Sequence, residues 1–201
     1  MMGAFGPDIP GETPIDDISD LIPPLRTREE LNRWEIWNIA KAITKYLSAR
    51  PTKRTAPFDD YGWFLKLHKE MFCDVWRYAG RIRSTDLNIG VPAHSVSADL
   101  WGLTKDLACW QENWGDVYEI AAWLHHRAVY IHPFYNGNGR WARLLTNIWL
   151  MQRGHPIVQW PEANISAGTS PIRCRYLEAL RSADGGDKSP LIQLHRELGQ
   201  P

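Results

Sequence analysis

Val117, Ile120, Ala121, Leu124, Ala128 and Ile131 return every three or four positions, stop at His132-Pro133, and hand the same period on to Trp141, Leu144, Leu145, Ile148 and Trp149. Such spacing places apolar side chains on one face of an α-helix. The chain is thereby committed to two buried helices with a short connection between them, the second closing at Gly154 and Pro156. Thr27 and Glu30 have the spacing of a capping box, which predicts a helix carrying Ile36, Ile39, Ala40, Ile43 and Leu47 and stopping near Ala49-Arg50-Pro51. Asp59 is the expected cap of another, with Tyr61, Phe64, Leu65, His68, Phe72 and Val75 on its stripe and His68 read as a core histidine. Helical period returns over residues 98–113, and Ser170-Pro171 and Ser189-Pro190 each look like an N-cap followed by proline. The expected fold class is all-α, a bundle of about seven helices.

Two stretches break this pattern. Residues 1–25 hold Pro7, Pro10, Pro14, Pro23 and Pro24 and are expected to form an extended arm. Residues 78–99 have no helical stripe, and the runs RIRST and LNIGV suggest a small β-hairpin. A connection of this length in a helical domain tends to be functional or disordered.

Composition excludes several classes. Lys plus Arg and Asp plus Glu both number 23, so the net charge is zero and general attraction to nucleic acid is not expected. The small basic clusters, Arg81 with Arg83 and Arg140 with Arg143, suit one polyphosphate better than a long polyanion. No apolar run approaches a membrane span, and the N-terminus has no signal-peptide pattern, so a cytosolic location is expected. Cys73, Cys109 and Cys174 lack metal or disulfide spacing and are expected to be reduced thiols in the core. Most of the 11 tryptophans are expected in the core, with a few at a contact surface. His125, His126 and His132 lack the carboxylate or thiolate that would complete a tetrahedral zinc site.

The break at HPFYNGNGRWAR, residues 132–143, is where the chemistry concentrates. His132 stands before a proline, which disfavours an α conformation and sets the imidazole on a corner. Gly137, Asn138 and Gly139 supply consecutive backbone N–H groups at a helix N-terminus, an anion site by both geometry and dipole. Arg140 and Arg143, three apart, are neighbours on the first turn and suit phosphate oxygens. A base beside a phosphate cradle can direct a hydroxyl at phosphorus.

This stretch resembles the signature of Fic domains, HPFx(D/E)GNGRxxR, and matches it everywhere except the acidic position, where Asn136 stands. The resemblance extends over most of residues 30–198, including RYLEALRSADGGDKSPLIQL, and implies a Fic-fold helical domain over residues 26–201 with a hairpin flap. The arm with PGETPID and LIPP, then TREELN and Asn136, is similar to the subgroup called mobile mystery protein B, which implies a toxin–antitoxin or mobile-element setting.

By that resemblance, His132 would be the general base toward a Ser, Thr or Tyr hydroxyl of a target protein, and ATP the donor of AMP. Gly137, Asn138 and Gly139 would hold the phosphates, Arg140 the β-phosphate region and Arg143 the terminal phosphate. Phe134 would anchor the loop. Asn88, Ile89, Gly90 and Val91 would belong to a flap, running on to Val96, that docks the target by strand addition. Asn136 takes the place of a Mg²⁺-binding carboxylate and would offer only an amide carbonyl. Weakened metal use with retained transfer, another phosphate-containing donor, or a nucleotide-binding module with little catalysis all follow from that change. A kinase of the Doc type is the alternative transfer. The inhibitory motif (S/T)xxxE(G/N) is absent from the sequence, which leaves Glu30, Glu35 or a separate antitoxin-like inhibitor as the source of restraint.

Overall fold

The structure, a computed structural model, describes residues 17–48, 56–113, 115–165 and 170–199, together with the backbone of a minimal antiparallel pair, β1 (Met2–Gly3) and β2 (Gly6–Pro7). The rest of the expected arm before residue 17, and the expected helix end at residues 49–51, lie outside the described residues. Thr27 opens the first helix as its spacing requires: its hydroxyl accepts from the Glu30 N–H at 3.1 Å, and the Glu30 carboxylate accepts from the Thr27 N–H at 3.1 Å. A cap of this kind is worth about 1 kcal/mol. Helix α1 is Arg28–Leu47 and α2 is Tyr61–Phe72. The cap of α2 is Asp60 and not Asp59, because the Asp60 carboxylate is the one that reaches the Gly62 N–H, at 2.8 Å.

The remaining helices are α3 (Val96–Asn113), α4 (Val117–Ile131), α5 (Asn138–Gln152), the short α6 (Glu162–Ile165), α7 (Pro171–Asp184) and α8 (Ser189–Gly199). Eight α-helices are thus present among the described residues, α6 being a single turn. Ser170 caps α7 with Pro171 in its first turn. Ser189 is already the first residue of α8, and the Asp187 carboxylate accepts from its N–H at 3.0 Å. Helix α4 is the central element, packed on α3, α5, α7 and α8, while α1 and α2 close the other side of α5. Leu124, Ala128, Ile131, Phe134, Trp141, Leu145 and Leu150 are all buried where α4 and α5 meet. Residues 20–22 pair with the segment just past α2, with Ile22 N–H donating to the Val75 carbonyl and Arg77 N–H to the Asp20 carbonyl, both at 2.9 Å.

Three expectations are overturned here. Residues 81–92 form bends and turns instead of a hairpin, followed by a 3-10 turn at Ala93–Ser95, so Asn88, Ile89, Gly90 and Val91 are not strand residues. The cause is Arg83, which is buried and donates to the carbonyls of Thr85, Val91 and His132, satisfying backbone acceptors that a partner strand would otherwise serve. That also removes Arg83 from the expected polyphosphate cluster. Cys73, Cys109 and Cys174 are free thiols but exposed, each lying off the apolar stripe of its helix region. Trp63, Trp76, Trp141, Trp149 and Trp160 are buried, whereas Trp34, Trp37 and Trp101 are exposed. Among the described residues no helix is long and apolar enough to cross a membrane.

Candidate active site

Helix α4 ends on His132, whose φ of 51° and ψ of 59° are left-handed; it is the one non-glycine residue with positive φ among those described. Strain of this type costs on the order of 1–2 kcal/mol. It is held by its surroundings: Arg83 Nε donates to the His132 carbonyl at 2.8 Å, and Arg83 N–H donates to the Pro133 carbonyl at 3.0 Å. Gly90 presses directly on this corner. A Cβ there would lie 2.5 Å from the His132 Cβ, and the φ of Gly90 is +97°, so only glycine fits. The imidazole is therefore set on a corner, as the proline requires, but it is nearly enclosed, at 6% exposure. Burial draws its pKa down to about 4, against the opposing pull of the Val129 carbonyl, with the Arg83 charge adding to the lowering. A neutral ring able to take a proton is the form present at neutral pH.

The loop that follows is fastened at four points. Phe134 is fully buried, stacked on His68 with centroids 3.6 Å apart and edge-on to Trp141 at 5.1 Å. His68 accepts from the Gly80 N–H at Nδ1, 3.0 Å, which leaves Nε2–H to donate to the Asn136 carbonyl at 3.0 Å. It is the satisfied core histidine that its position on the α2 stripe suggests. Asn138 clamps the loop through both amide atoms, accepting from Phe134 N–H at 2.9 Å and donating to the Phe134 carbonyl at 2.8 Å. Tyr135 accepts from the Ser84 N–H at 2.9 Å, tying the loop to the segment that bears Gly90.

Helix α5 begins at Asn138 with Gly137 as its N-cap, in the left-handed region at φ +78°, and no side chain caps it. A Cβ on Gly137 would strike the Phe72 ring at 2.5 Å. The first turn of α5 thus has no capping side chain at the positive end of the helix, which suits an anion site. Asn136 turns its side-chain oxygen onto the Gly137 N–H at 2.7 Å, so that the expected metal ligand is engaged with its own turn.

Both motif arginines are met by carboxylates. Arg140 Nη1 donates to Glu35 Oε2 at 2.7 Å, and Trp76 Nε1 donates to Glu35 Oε1 at 2.8 Å, leaving Glu35 buried at 2% exposure. Arg143 donates from Nε to Glu162 Oε1 at 2.7 Å and from Nη2 to Glu162 Oε2 at 2.5 Å. Glu35 is thus brought to Arg140 and not Arg143, and Glu30 stays exposed in the α1 cap, away from both. The side chains present do not build a resident Mg²⁺ site. The Asn136 oxygen is uncharged and accepts the Gly137 N–H, Glu35 and Glu162 are paired, and no group of three His, Cys, Asp or Glu side chains able to hold a metal ion occurs among the described residues.

Residues 58–150, which run from before α2 to near the end of α5 and include every element of this site except Glu35 and Glu162, match the model of the Fic/DOC family. Over these residues the chain is similar to the Fic/DOC family. It is 34% identical over 119 residues to protein adenylyltransferase fic-1 of Caenorhabditis elegans, covering 57% of this chain and 22% of the relative. Against protein adenylyltransferase Fic of Nematostella vectensis it is 36% identical over 126 residues, covering 57% of this chain and 26% of the relative. The chain therefore spans about a quarter of the length of these curated relatives. A solved structure of a variant of C. elegans Fic-1 residues 134–508 superposes on 89% of this chain and 51% of its own with a TM-score of 0.69 at 26% identity. BepC of Bartonella tribocorum, solved with AMPPNP bound, shares the fold at a TM-score of 0.66 and 18% identity, over 88% of this chain and 90% of its own.

The sequence does not reveal the roles of Arg83, Glu162 and the buried rings behind Arg143. Arg83 was legible only as part of a basic triplet, and nothing near Glu162 in the sequence links it to Arg143.

Proposed function

We propose that the chain is a Fic-type protein adenylyltransferase that moves AMP from ATP to a hydroxyl of a target protein. The observation that carries this reading is the juxtaposition of a neutral, enclosed His132 with an uncapped helix N-terminus and two arginines on its first turn. The names of the fic-1 and Fic relatives support it. In the reaction, the target hydroxyl oxygen forms a bond to the α-phosphorus and the bond from that phosphorus to the bridging oxygen breaks. Pyrophosphate leaves, and the hydroxyl proton passes to the ring nitrogen of His132. The amides of Asn138 and Gly139 receive phosphate oxygens, Arg140 the β-phosphate region and Arg143 the terminal phosphate, exchanging Glu162 for phosphate.

The target segment would lie along Asn88, Ile89, Gly90 and Val91, of which Asn88, Ile89 and Gly90 are exposed and Gly90 touches the His132 corner. Mg²⁺ would arrive as the counter-ion of ATP, since the chain's own side chains are spent on other partners. The finer kinship with mobile mystery protein B, and with it an antitoxin-like partner and a cytosolic site of action, is part of this reading and draws on Asn136 and the TREELN stretch. A kinase of the Doc type is the alternative, in which the γ-phosphorus would face His132. Incubation with ATP labelled at either the α- or the γ-phosphate, with lysate as target, decides: protein labelled from the α-position supports AMP transfer, label from the γ-position the kinase, and no label the binding module.

A further inference from the structure

Behind the cradle, three buried polar side chains take no part in the chemistry above: Tyr176 on α7, His125 on α4 and His195 on α8, packed edge-on around Trp160. Their contacts form a line. Tyr176 Oη lies 2.9 Å from His125 Nε2, His125 Nδ1 lies 3.2 Å from His195 Nε2, and His195 Nδ1 lies 2.8 Å from the Leu191 carbonyl oxygen. At the other end the Tyr176 hydroxyl lies against the Arg143 guanidinium, whose central carbon is 5.5 Å from the Tyr176 ring centroid.

The ends of the line force the protons along it. A carbonyl only accepts, so His195 carries its proton on Nδ1 and presents a lone pair at Nε2. His125 must then donate from Nδ1, which leaves a lone pair at its Nε2, and Tyr176 must donate its hydroxyl proton there. What Tyr176 has left are oxygen lone pairs. A guanidinium, donor on every side and acceptor on none, is the group that suits them. Burial keeps both rings in the neutral form the line needs, drawing His195 down to about 4 and His125 well below its ordinary value. A proton added to His195 would set its Nε2–H against the His125 Nδ1–H, and one added to His125 would set its Nε2–H against the Tyr176 O–H.

The line ends at the phosphate side of the site. A Cβ placed on Gly139 would lie 3.4 Å from Arg143 Nη1 and 3.7 Å from Tyr176 Oη, so these two groups sit side by side under a cradle glycine. Glu162 holds the opposite edge, Nε and Nη2, and is half-exposed. Arg143 thus has an inner face gripped by buried neutral groups and an outer edge held by an accessible carboxylate that an anion can replace.

We propose that Tyr176, backed by His125 and His195, is a positioning residue that holds the Arg143 guanidinium in the plane needed to meet a terminal phosphate. The inference rests on the reading of residues 137–143 as a nucleotide-phosphate cradle. Ordering a long side chain during folding spares that cost when the nucleotide binds.

Two measurements test it without relying on AMP transfer. In ¹⁵N-histidine-labelled protein, His125 and His195 should both appear as neutral Nδ1–H tautomers near pH 7. In calorimetric titrations with ATP and ADP, Tyr176→Phe should lower the ratio of ATP to ADP affinity about tenfold, the worth of one hydrogen bond to a charged group. His195→Leu should lower the ratio in the same direction. His195→Gln, whose amide oxygen can accept where Nε2 did, should restore it, and a merely structural role would not follow that order. Nε2–H tautomers, an unchanged ratio in Tyr176→Phe, or a wild-type protein that does not distinguish ATP from ADP would each overturn the proposal. A wild-type protein that prefers ATP but transfers no AMP would instead sink the proposed activity and leave the positioning role standing.

Discussion

Glu162 grips Arg143 with a two-point ion pair, Nε to Oε1 at 2.7 Å and Nη2 to Oε2 at 2.5 Å, on the edge that a phosphate would need. The arginine is buried while the carboxylate is half-exposed, at 46%, so the pair is asymmetric: water can receive Glu162 far more cheaply than Arg143. Removing the charge from Glu162 should therefore favour nucleotide. Glu162→Gln is expected to tighten ATP binding roughly three- to tenfold, a range discounted for the exposure of the carboxylate. Titration calorimetry reads this directly. Weaker ATP binding in the variant would mean that Glu162 orients Arg143 and does not compete for it.

His132 is enclosed and neutral, with a pKa drawn down to about 4 by burial. The kcat/KM profile of the free enzyme should accordingly hold its activity as pH falls through 6 and lose it only near that value. Bound ATP brings negative charge beside the ring and should move the corresponding limb of kcat upward. His132→Ala should abolish transfer while ATP affinity changes little. Transfer that survives in the variant removes His132 from the mechanism.

Asn136 Oδ1 receives the Gly137 N–H at 2.7 Å and brings no charge to the cradle. An aspartate there would keep that acceptor and add an anionic oxygen, which a hard cation prefers. Asn136→Asp should lower the Mg²⁺ concentration needed for half-maximal transfer and should strengthen Mg²⁺ binding in the presence of ADP. If metal titrations of the two forms coincide, position 136 is not a metal position in this chain.

Local signals were the readable ones. Thr27 with Glu30, Ser170 with Pro171, and the stripes of α4 and α5 are set by residues within a turn or two of each other, and twelve consecutive residues carry His132, the cradle amides and both arginines. The partners of those residues come from far along the chain, which no periodicity reports. Glu35 reaches Arg140 across 105 positions, and Tyr176 reaches His125 across 51. The hairpin expectation failed for the same reason: RIRST and LNIGV have strand-like composition, but the burial of Arg83 decides where their carbonyls turn.

Arg83 fixes both sides of the proposed target-docking surface, since its carbonyl acceptors belong to Thr85 and Val91 in the loop and to His132 in the motif. Arg83→Met would fill much of the same volume and leave those buried acceptors unserved. A loss of about 2–4 kcal/mol in stability is expected from that many unsatisfied groups. The KM for the target protein should rise while ATP affinity is nearly preserved, because the cradle amides lie on α5. Parallel losses in both would show that Arg83 supports the whole site and not the docking loop.

Four histidines are buried in neutral form, and all lose affinity for protons on folding: His68 to about 3, His132 and His195 to about 4, and His125 well below 6.5, each chiefly through desolvation. The unfolded chain takes up these protons as pH falls through the ordinary value of about 6.5, while the native state refuses them until the lower values are reached. Unfolding is thus coupled to proton uptake in that window. Stability is present above pH 6.5 and is lost as pH falls toward 4, with a slope that approaches four protons, about 5 kcal/mol per pH unit near pH 5. Urea midpoints measured from pH 7.5 to 4.5 should drop steeply below 6.5, and a flat course would mean that the native state can accept these protons. Replacing His195 by Gln should remove one proton from the slope, which separates the imidazoles from the carboxylates that titrate at the acid end.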